Sequence, residues 1–531
     1  MVSENPFDKF RQECQASLAN ALNKVLPETH PPTITLNKTP NIEYGQLASS
    51  LCFELAKKLG QKPLALANQL VKAIDKSEFN LIEKVAPAGA GYINFHVNFA
   101  KFSALTLESI KKLGFEYGFA KTDMPKKIIV EHTSVNPLHP IHIGQARNPM
   151  LGDALERILK YRGHEVSRHY YIDDVGRQSS VVAYGYAKLG KPKPTEKSDL
   201  FVGKIYTVTS CIVEINRLKK TRAAAIAVHN ADDLVKANKE IDEWMSIAAE
   251  LKEKYPVLFE ALTAKISQDP DPEEEIKRLN CAYENGEPNA KQLIREVSDL
   301  CLEGFRETMK RVGVTYDSWD WESDFVWSTQ VNDVLVKLKA SPFVFIEKGV
   351  LEFDAEEVVQ TLNLKGKLGL SENNEVPPVT LGRADGTTLY TTRDIAYTIW
   401  KFKQTQKVIN VIGVEQSLAQ LQLRIALYAM GHAEYAENLV HFAYNLVTLP
   451  GNKMSSRRGH YITFDDVLTE AVQRAYEEVS KRSPLLSEEE KRKIADFVGL
   501  GAVRYALVDV DPSKTVVFTW DRVLNFETNS A

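Results

Sequence analysis

Two short stretches of this sequence carry residue types that could handle a nucleoside triphosphate. The first runs Ser134-Val135-Asn136-Pro137-Leu138-His139-Pro140-Ile141-His142-Ile143-Gly144-Gln145. It sits where the β-branched run Ile128-Ile129-Val130 turns into a segment of helical spacing. A helix N-terminus presents unpaired N–H groups and favours anions. Gly144 would let a nucleotide approach the backbone closely, and His142 could donate to phosphate oxygens that gain charge in a transition state. The second runs Leu449-Pro450-Gly451-Asn452-Lys453-Met454-Ser455-Ser456-Arg457-Arg458-Gly459. Such a cationic loop, bracketed by glycines, could close over a triphosphate and stabilise the departing pyrophosphate. Taken singly, each stretch also reads as ordinary structure: a helix start with incidental histidines, and a solvated basic surface loop.

The elements that would position them form an α/β pattern. Residues 128–130 read as a buried parallel strand, 144–162 as a helix with Gly163 as its stop, and 165–172 as a second strand. A doubly wound nucleotide-binding sheet follows from that order. Residues 190–312 interrupt it with mostly helical sequence. Leu293, Val297, Leu300, Phe305, Met309 and Val312 form an apolar stripe within it that reads as core. The α/β pattern resumes with Val379-Thr380-Leu381, an Asp385-Gly386 turn and Thr388-Leu389-Tyr390, read as a hairpin, and with an apolar strand at 408–414. From Ser487 onward the reading is helical. Ahead of all this lies an α+β segment, with helices expected at 10–25, 47–59 and 63–74 and a strand at 92–97.

Composition limits the classes of function. A chain of 531 residues exceeds one ordinary core, so two to four domains are expected. With 44% hydrophobic and 26% charged residues it is neither disordered nor collagen-like. No apolar run approaches the ~20 residues of a membrane span, and the N-terminus lacks the apolar stretch of a signal peptide. Five scattered cysteines with no C-x-x-C pair argue against a zinc site or a disulfide framework and for reduced cytosolic thiols. A net charge of -4 leaves any nucleic-acid contact to local basic patches.

Together the two stretches resemble the HIGH and KMSK signatures of class I aminoacyl-tRNA synthetases, and the surrounding residues resemble the arginyl-tRNA synthetase family. Those residues are Glu131-His132-Thr133-Ser134-Val135-Asn136-Pro137, Tyr390-Thr391-Thr392-Arg393-Asp394-Ile395-Ala396 and Gly413-Val414-Glu415-Gln416. Gly45, the helix before Gly60 and Gly91-Tyr92-Ile93-Asn94-Phe95 are similar to that family's additional N-terminal domain. The sequence departs from the pattern at Gln145, where HIGH ends in histidine, and at Ser456, where KMSK ends in lysine.

The resemblance implies an arginine–tRNA ligase that forms arginyl-adenylate from ATP and L-arginine and transfers the arginyl group to the terminal ribose of tRNA. ATP would come with Mg2+, without zinc, and activation would need bound tRNA. His142, Gly144, Gln145 and Lys453 would bind ATP, with Ser455 and Ser456 completing the closing loop. Glu131, Asn136, Tyr390, Asp394 and Gln416 would meet the arginine. A guanidinium is a planar fork of five donors and needs a carboxylate with neutral acceptors beside it. Tyr390 and Asp394, four residues apart, would share one face of a helix.

The implied fold is a doubly wound Rossmann-type α/β catalytic sheet with a helical insertion and an N-terminal α+β appendage. The expected divisions are 1–120, a tRNA-elbow-binding domain; 121–190 and 313–486, the two halves of the catalytic domain; 191–312, the insertion; and 487–531, a helical stem leading to an anticodon-binding domain beyond the chain's end. A cytoplasmic monomer is expected. Rival readings are a synthetase-like module without catalysis, and a different class I synthetase.

Overall fold

The computed structural model describes residues 2–27, 33–347, 349–382, 390–448 and 462–525. The chain forms two compact units, Met1–Pro125 with Tyr161–Gly163, and Lys126–Lys160 with His164–Ala531.

In the smaller unit, helix Pro6–Val25 starts where the Asn5 side chain accepts the Asp8 N–H. Helix Leu51–Leu59 ends on Gly60 in the left-handed conformation, and helix Pro63–Ala73 follows. Their apolar faces, with Phe10, Leu18, Leu55 and Leu70, cover a four-stranded antiparallel sheet. The helix expected to begin at residue 47 begins at Leu51. Leu47–Ser49 is instead a strand paired with Ile93–Phe95. Leu47, Leu51 and Leu55 recur every four residues, so a strand leading into a helix buries them as well as one longer helix would.

The larger unit is built on five parallel strands: β1 (Lys127–His132), β2 (Glu165–Ile172), β3 (Ser318–Trp321), β4 (Lys407–Gly413) and β5 (Leu439–Tyr444), in spatial order β5–β4–β1–β2–β3. Burial of Ile128, Ile129 and Val130 explains the unbroken β-branched run in β1. Helix α1 (Arg147–Tyr161) connects β1 to β2. It approaches so closely at Gly152 that an added Cβ would lie 2.1 Å from the His132 ring, so no larger residue fits there.

Between β2 and β3 lie six helices, Arg177–Lys188, Ser198–Ala227, Ala231–Lys254, Pro256–Ile266, Pro272–Glu284 and Pro288–Arg311. The apolar stripe of the last is core: Val297, Phe305 and Met309 are buried, and Leu293 and Leu300 pack against them. Helices α2 (Tyr390–Phe402) and α3 (Ser417–Ala429) flank β4.

Two expectations are corrected. Strand Val379–Gly382 pairs with the upstream strand Val350–Phe353, and Tyr390 opens α2, the helix it was expected to share with Asp394, instead of closing a hairpin; residues 383–389, with the expected turn, lie outside the described residues. After helix Glu488–Val508 the chain leaves the helical path, and Val516–Val517 pairs with Val447–Thr448. The guanidinium of Arg147 accounts for the change. It is fully buried and donates to the carbonyls of Asn445, Leu507, Val510, Asp511 and Lys514, the last four of which a continuing helix would have kept for itself.

Candidate active site

Strand order reverses at β1, whose successor β2 lies on one side while β4 lies on the other. In open α/β sheets the crevice beyond the carboxyl ends of the strands at such a reversal is the usual ligand site. Here it opens into a cavity of about 690 Å³. Glu131 enters from β1, Tyr171 and Asp173 from the end of β2, Asn410 and Gly413 from β4, and Gln416 from the turn after it.

Helix α2 supplies one wall. Asp394, Tyr397, Thr398 and Lys401 line the cavity at spacings of three, four and seven residues, one face of a helix. The insertion supplies Asn280 and Glu284, and Glu322 follows β3. Among the described residues, six carboxylates line the cavity (Glu131, Asp173, Glu284, Glu322, Asp394 and Glu415) against three cations, Arg177, Arg393 and Lys401. The excess is negative, in a partly enclosed space where screening is weak.

All three cations are already engaged, Arg177 in a two-point pair with Glu273 at 2.7 and 2.6 Å. The fully buried Lys401 ammonium pairs with Glu131, donates to Asn410 Oδ1 at 2.9 Å and lies 4.3 Å from the Tyr397 ring centroid. Arg393 holds Glu322 at 3.1 Å and Glu284 at 3.8 Å. Burial raises the pKa of both Asp173 and Glu322, which hydrogen-bond to each other, and Asn136 donates to Asp173 at 2.9 Å. The charges of Lys401 and Arg393 favour the Asp394 anion but do not prevail. Burial first, then the Glu131 charge, pushes its pKa up to about 7. Two buried acids that share a site resist ionising together, and an incoming cation would relieve both.

Apart from Ser134, the HIGH-like stretch lies outside the lining of this cavity. His142 caps a 3-10 turn, Ile143–Gln145, and the Gln145 side-chain oxygen accepts the His142 N–H at 3.2 Å. Its ring stacks on His139 at 5.9 Å; burial, then the neighbouring His139, lowers its pKa to about 4, so it is a neutral imidazole. The same stretch is paired with the residues just after the basic loop: Ile143 N–H donates to Ile462 O at 3.2 Å, and Phe464 N–H to Ile141 O at 2.7 Å. Lys197 braces that junction, reaching Asp199 and Asp465 at 2.8 Å each. Lys453, Ser455 and Ser456 lie outside the described residues, as does the Tyr390 side chain.

Of the residues expected to meet arginine, Glu131, Asp394 and Gln416 line one cavity, and Asn136 is bonded to its wall. The sequence reading missed Tyr171, Asp173, Glu322, Arg393 and Lys401 as wall residues. Two signals were available: Asp173-Asp174 ends an apolar strand, and Lys401 sits seven residues after Asp394 in an otherwise apolar helix face.

The family model described as tRNA synthetases class I (R), catalytic domain, matches residues 109–209 and 234–520. The model described as arginyl tRNA synthetase N terminal domain matches residues 12–97. An arginine–tRNA ligase of Pyrobaculum aerophilum is 40% identical over 87% of this chain and 73% of its own length. One of Ignicoccus hospitalis is 42% identical over 93% of this chain and 75% of its own. A solved structure of Thermus thermophilus arginyl-tRNA synthetase superposes with a TM-score of 0.65 at 27% identity, over 98% of this chain and 78% of that one.

Proposed function

Because this chain belongs to the arginyl-tRNA synthetase family, whose reaction joins arginine to tRNA with ATP, we propose that the acidic cavity at the strand reversal is where it selects arginine. The observation that carries this reading is the excess of carboxylates over cations among the described residues of that cavity, with Asp394 held at a pKa of about 7 within it. A guanidinium would ionise Asp394 and take it as its carboxylate partner, with Gln416 as a neutral acceptor. Asn136 and Lys401 act as positioning residues, the one on Asp173 and the other on Glu131.

The arginine carboxylate oxygen then attacks the α-phosphorus of ATP in line. One O–P bond forms, the bond to the leaving pyrophosphate breaks, and arginyl-adenylate results. A hydroxyl of the terminal tRNA ribose next attacks the arginyl carbonyl and releases AMP. No enzyme nucleophile is needed, because positioning and charge stabilisation suffice. The neutral His142 imidazole would donate to the phosphates, and Lys453, Ser455 and Ser456 would close over the pyrophosphate. Gly144 would give the nucleotide its close approach, and Gln145 would hold the His142 turn. Magnesium arrives with ATP.

We also assign residues 1–120 to tRNA, through exposed lysines such as Lys57 and Lys62 that touch phosphate without reading sequence. The test is ATP–pyrophosphate exchange with each of the twenty amino acids, with and without tRNA. Exchange with arginine alone, stimulated by tRNA, is expected. Exchange driven by another amino acid would overturn the assignment of the cavity.

A further inference from the structure

Among the described residues lining the cavity, Tyr171 has a phenolic oxygen that is buried and reached by no hydrogen-bond partner. Its ring is clamped. It stacks on Tyr397 with centroids 4.7 Å apart and planes 26° from parallel, and its own N–H donates to Thr133 O at 3.3 Å. The neighbouring Tyr170 shows the ordinary outcome: its hydroxyl donates to Val135 O at 2.8 Å. Of two adjacent tyrosines at the end of β2, the one with the unsatisfied hydroxyl is the one that lines the cavity.

A buried hydroxyl left unpaired is unfavourable, and buried polar groups almost always find a partner. A ligand that supplies the missing partner removes the penalty. Burial first, and then the charges of Glu322, Asp394, Asp173 and Glu131, hold the phenol in its neutral form. It therefore keeps its proton and still offers lone pairs. An ionised carboxylate can only accept, and the wall donors Arg393 and Lys401 are taken up by Glu322, Glu131 and Asn410, so a group rich in donors is what this hydroxyl can use.

Resting on the reading of the cavity as the arginine site, we propose that Tyr171 is a specificity-determining residue for the substrate side chain, its hydroxyl accepting an N–H of the guanidinium beside Asp394. The fork geometry of a guanidinium allows one edge to pair with the carboxylate while another N–H meets the phenol. A lysine ammonium has donors but no planar fork, so it could not reach both groups in that arrangement.

Tyr171→Phe keeps the ring and its stacking and removes only the oxygen. The KM for arginine is expected to rise roughly ten- to a hundredfold, as when a hydrogen bond to a charged group is removed, with kcat and the KM for ATP little changed. The free enzyme should melt no earlier than the wild type, because an unpaired hydroxyl holds nothing together. The rise in melting temperature produced by arginine should shrink. Asp394→Asn is measured alongside. If it raises the arginine KM while Tyr171→Phe does not, the Tyr171 assignment fails and the cavity reading stands. If neither variant affects arginine, the cavity reading itself fails. An earlier melt of Tyr171→Phe with unchanged arginine KM would make the hydroxyl structural and also overturn the proposal.

Discussion

Two buried charge centres of the larger unit meet the same physical problem in opposite ways. Arg147 has all five of its hydrogen bonds to backbone carbonyls, at the limit of what a guanidinium can donate. Among the described residues, the cavity beyond β1 gathers six carboxylates around three cations and leaves the Tyr171 hydroxyl unpaired. The first centre is saturated, and it ties the start of α1 to the segment after Glu488–Val508. The second is unsaturated in charge and in donors. A saturated buried charge holds a fold together, whereas an unsaturated cluster is completed by what it binds.

Substitutions at the two centres should therefore separate cleanly. The largest effect expected is from Arg147→Met, which takes a hydrogen-bond donor from five backbone carbonyls and leaves the buried guanidinium's place to an apolar chain. It should lower stability by about 3–5 kcal/mol, read as a fall in the urea midpoint, while any folded fraction keeps its KM for arginine. A stable Arg147→Met variant with a raised arginine KM would erase the distinction. Asp394→Asn should do the reverse. It removes the carboxylate partner of the substrate, so the arginine KM should rise ~10²–10³-fold with stability unharmed.

A pH series sharpens the contrast. Asp394, with its pKa raised to about 7, is disfavoured as an anion in the empty cavity. Its unfolded counterpart ionises near the ordinary carboxylate value, so the native state holds the extra proton between the two. Stability of the free enzyme is therefore lost as pH rises from about 4 to about 7. Arginine needs the ionised form, so its KM should fall as pH rises from about 6 to about 8. Asp394→Asn should flatten both profiles in proportion to this residue's share.

The smallest effect belongs to the surface of the smaller unit. Lys57→Ala with Lys62→Ala should weaken tRNA binding at low salt and reduce the salt slope by about 1 for each phosphate no longer neutralised, with arginine binding untouched. An unchanged slope would remove these lysines from the interface.

Legibility in the sequence was uneven for a physical reason. Strands β1, β2 and β4 and the stripe through Val297, Phe305 and Met309 could be read because burial repeats at a fixed period. Leu47–Ser49 was misread because Leu47, Leu51 and Leu55 satisfy a helical period while a cross-strand partner, Ile93–Phe95, decides the outcome. The extended stretch after Val508 depends on Arg147, some 360 residues away. No local pattern carries such a long-range pairing.

The site divides along the same line. Asp394 was readable from its place on a helix face, while Lys401, two turns on along the same face, was missed. Arg393 pairing with Glu322 and Glu284, and the orphaned oxygen of Tyr171, arise only when separate elements converge.

The most direct measurement compares calorimetric binding of arginine with that of citrulline, which keeps the shape of arginine but replaces its guanidinium by a neutral urea, in the presence of ATP and tRNA. If the unsaturated acidic cavity selects the substrate by its charge, citrulline should bind wild type at least ~10²-fold more weakly than arginine, and Asp394→Asn should narrow that gap mainly by losing arginine. Equal affinities for the two ligands, or a gap that Asp394→Asn leaves intact, would contradict it.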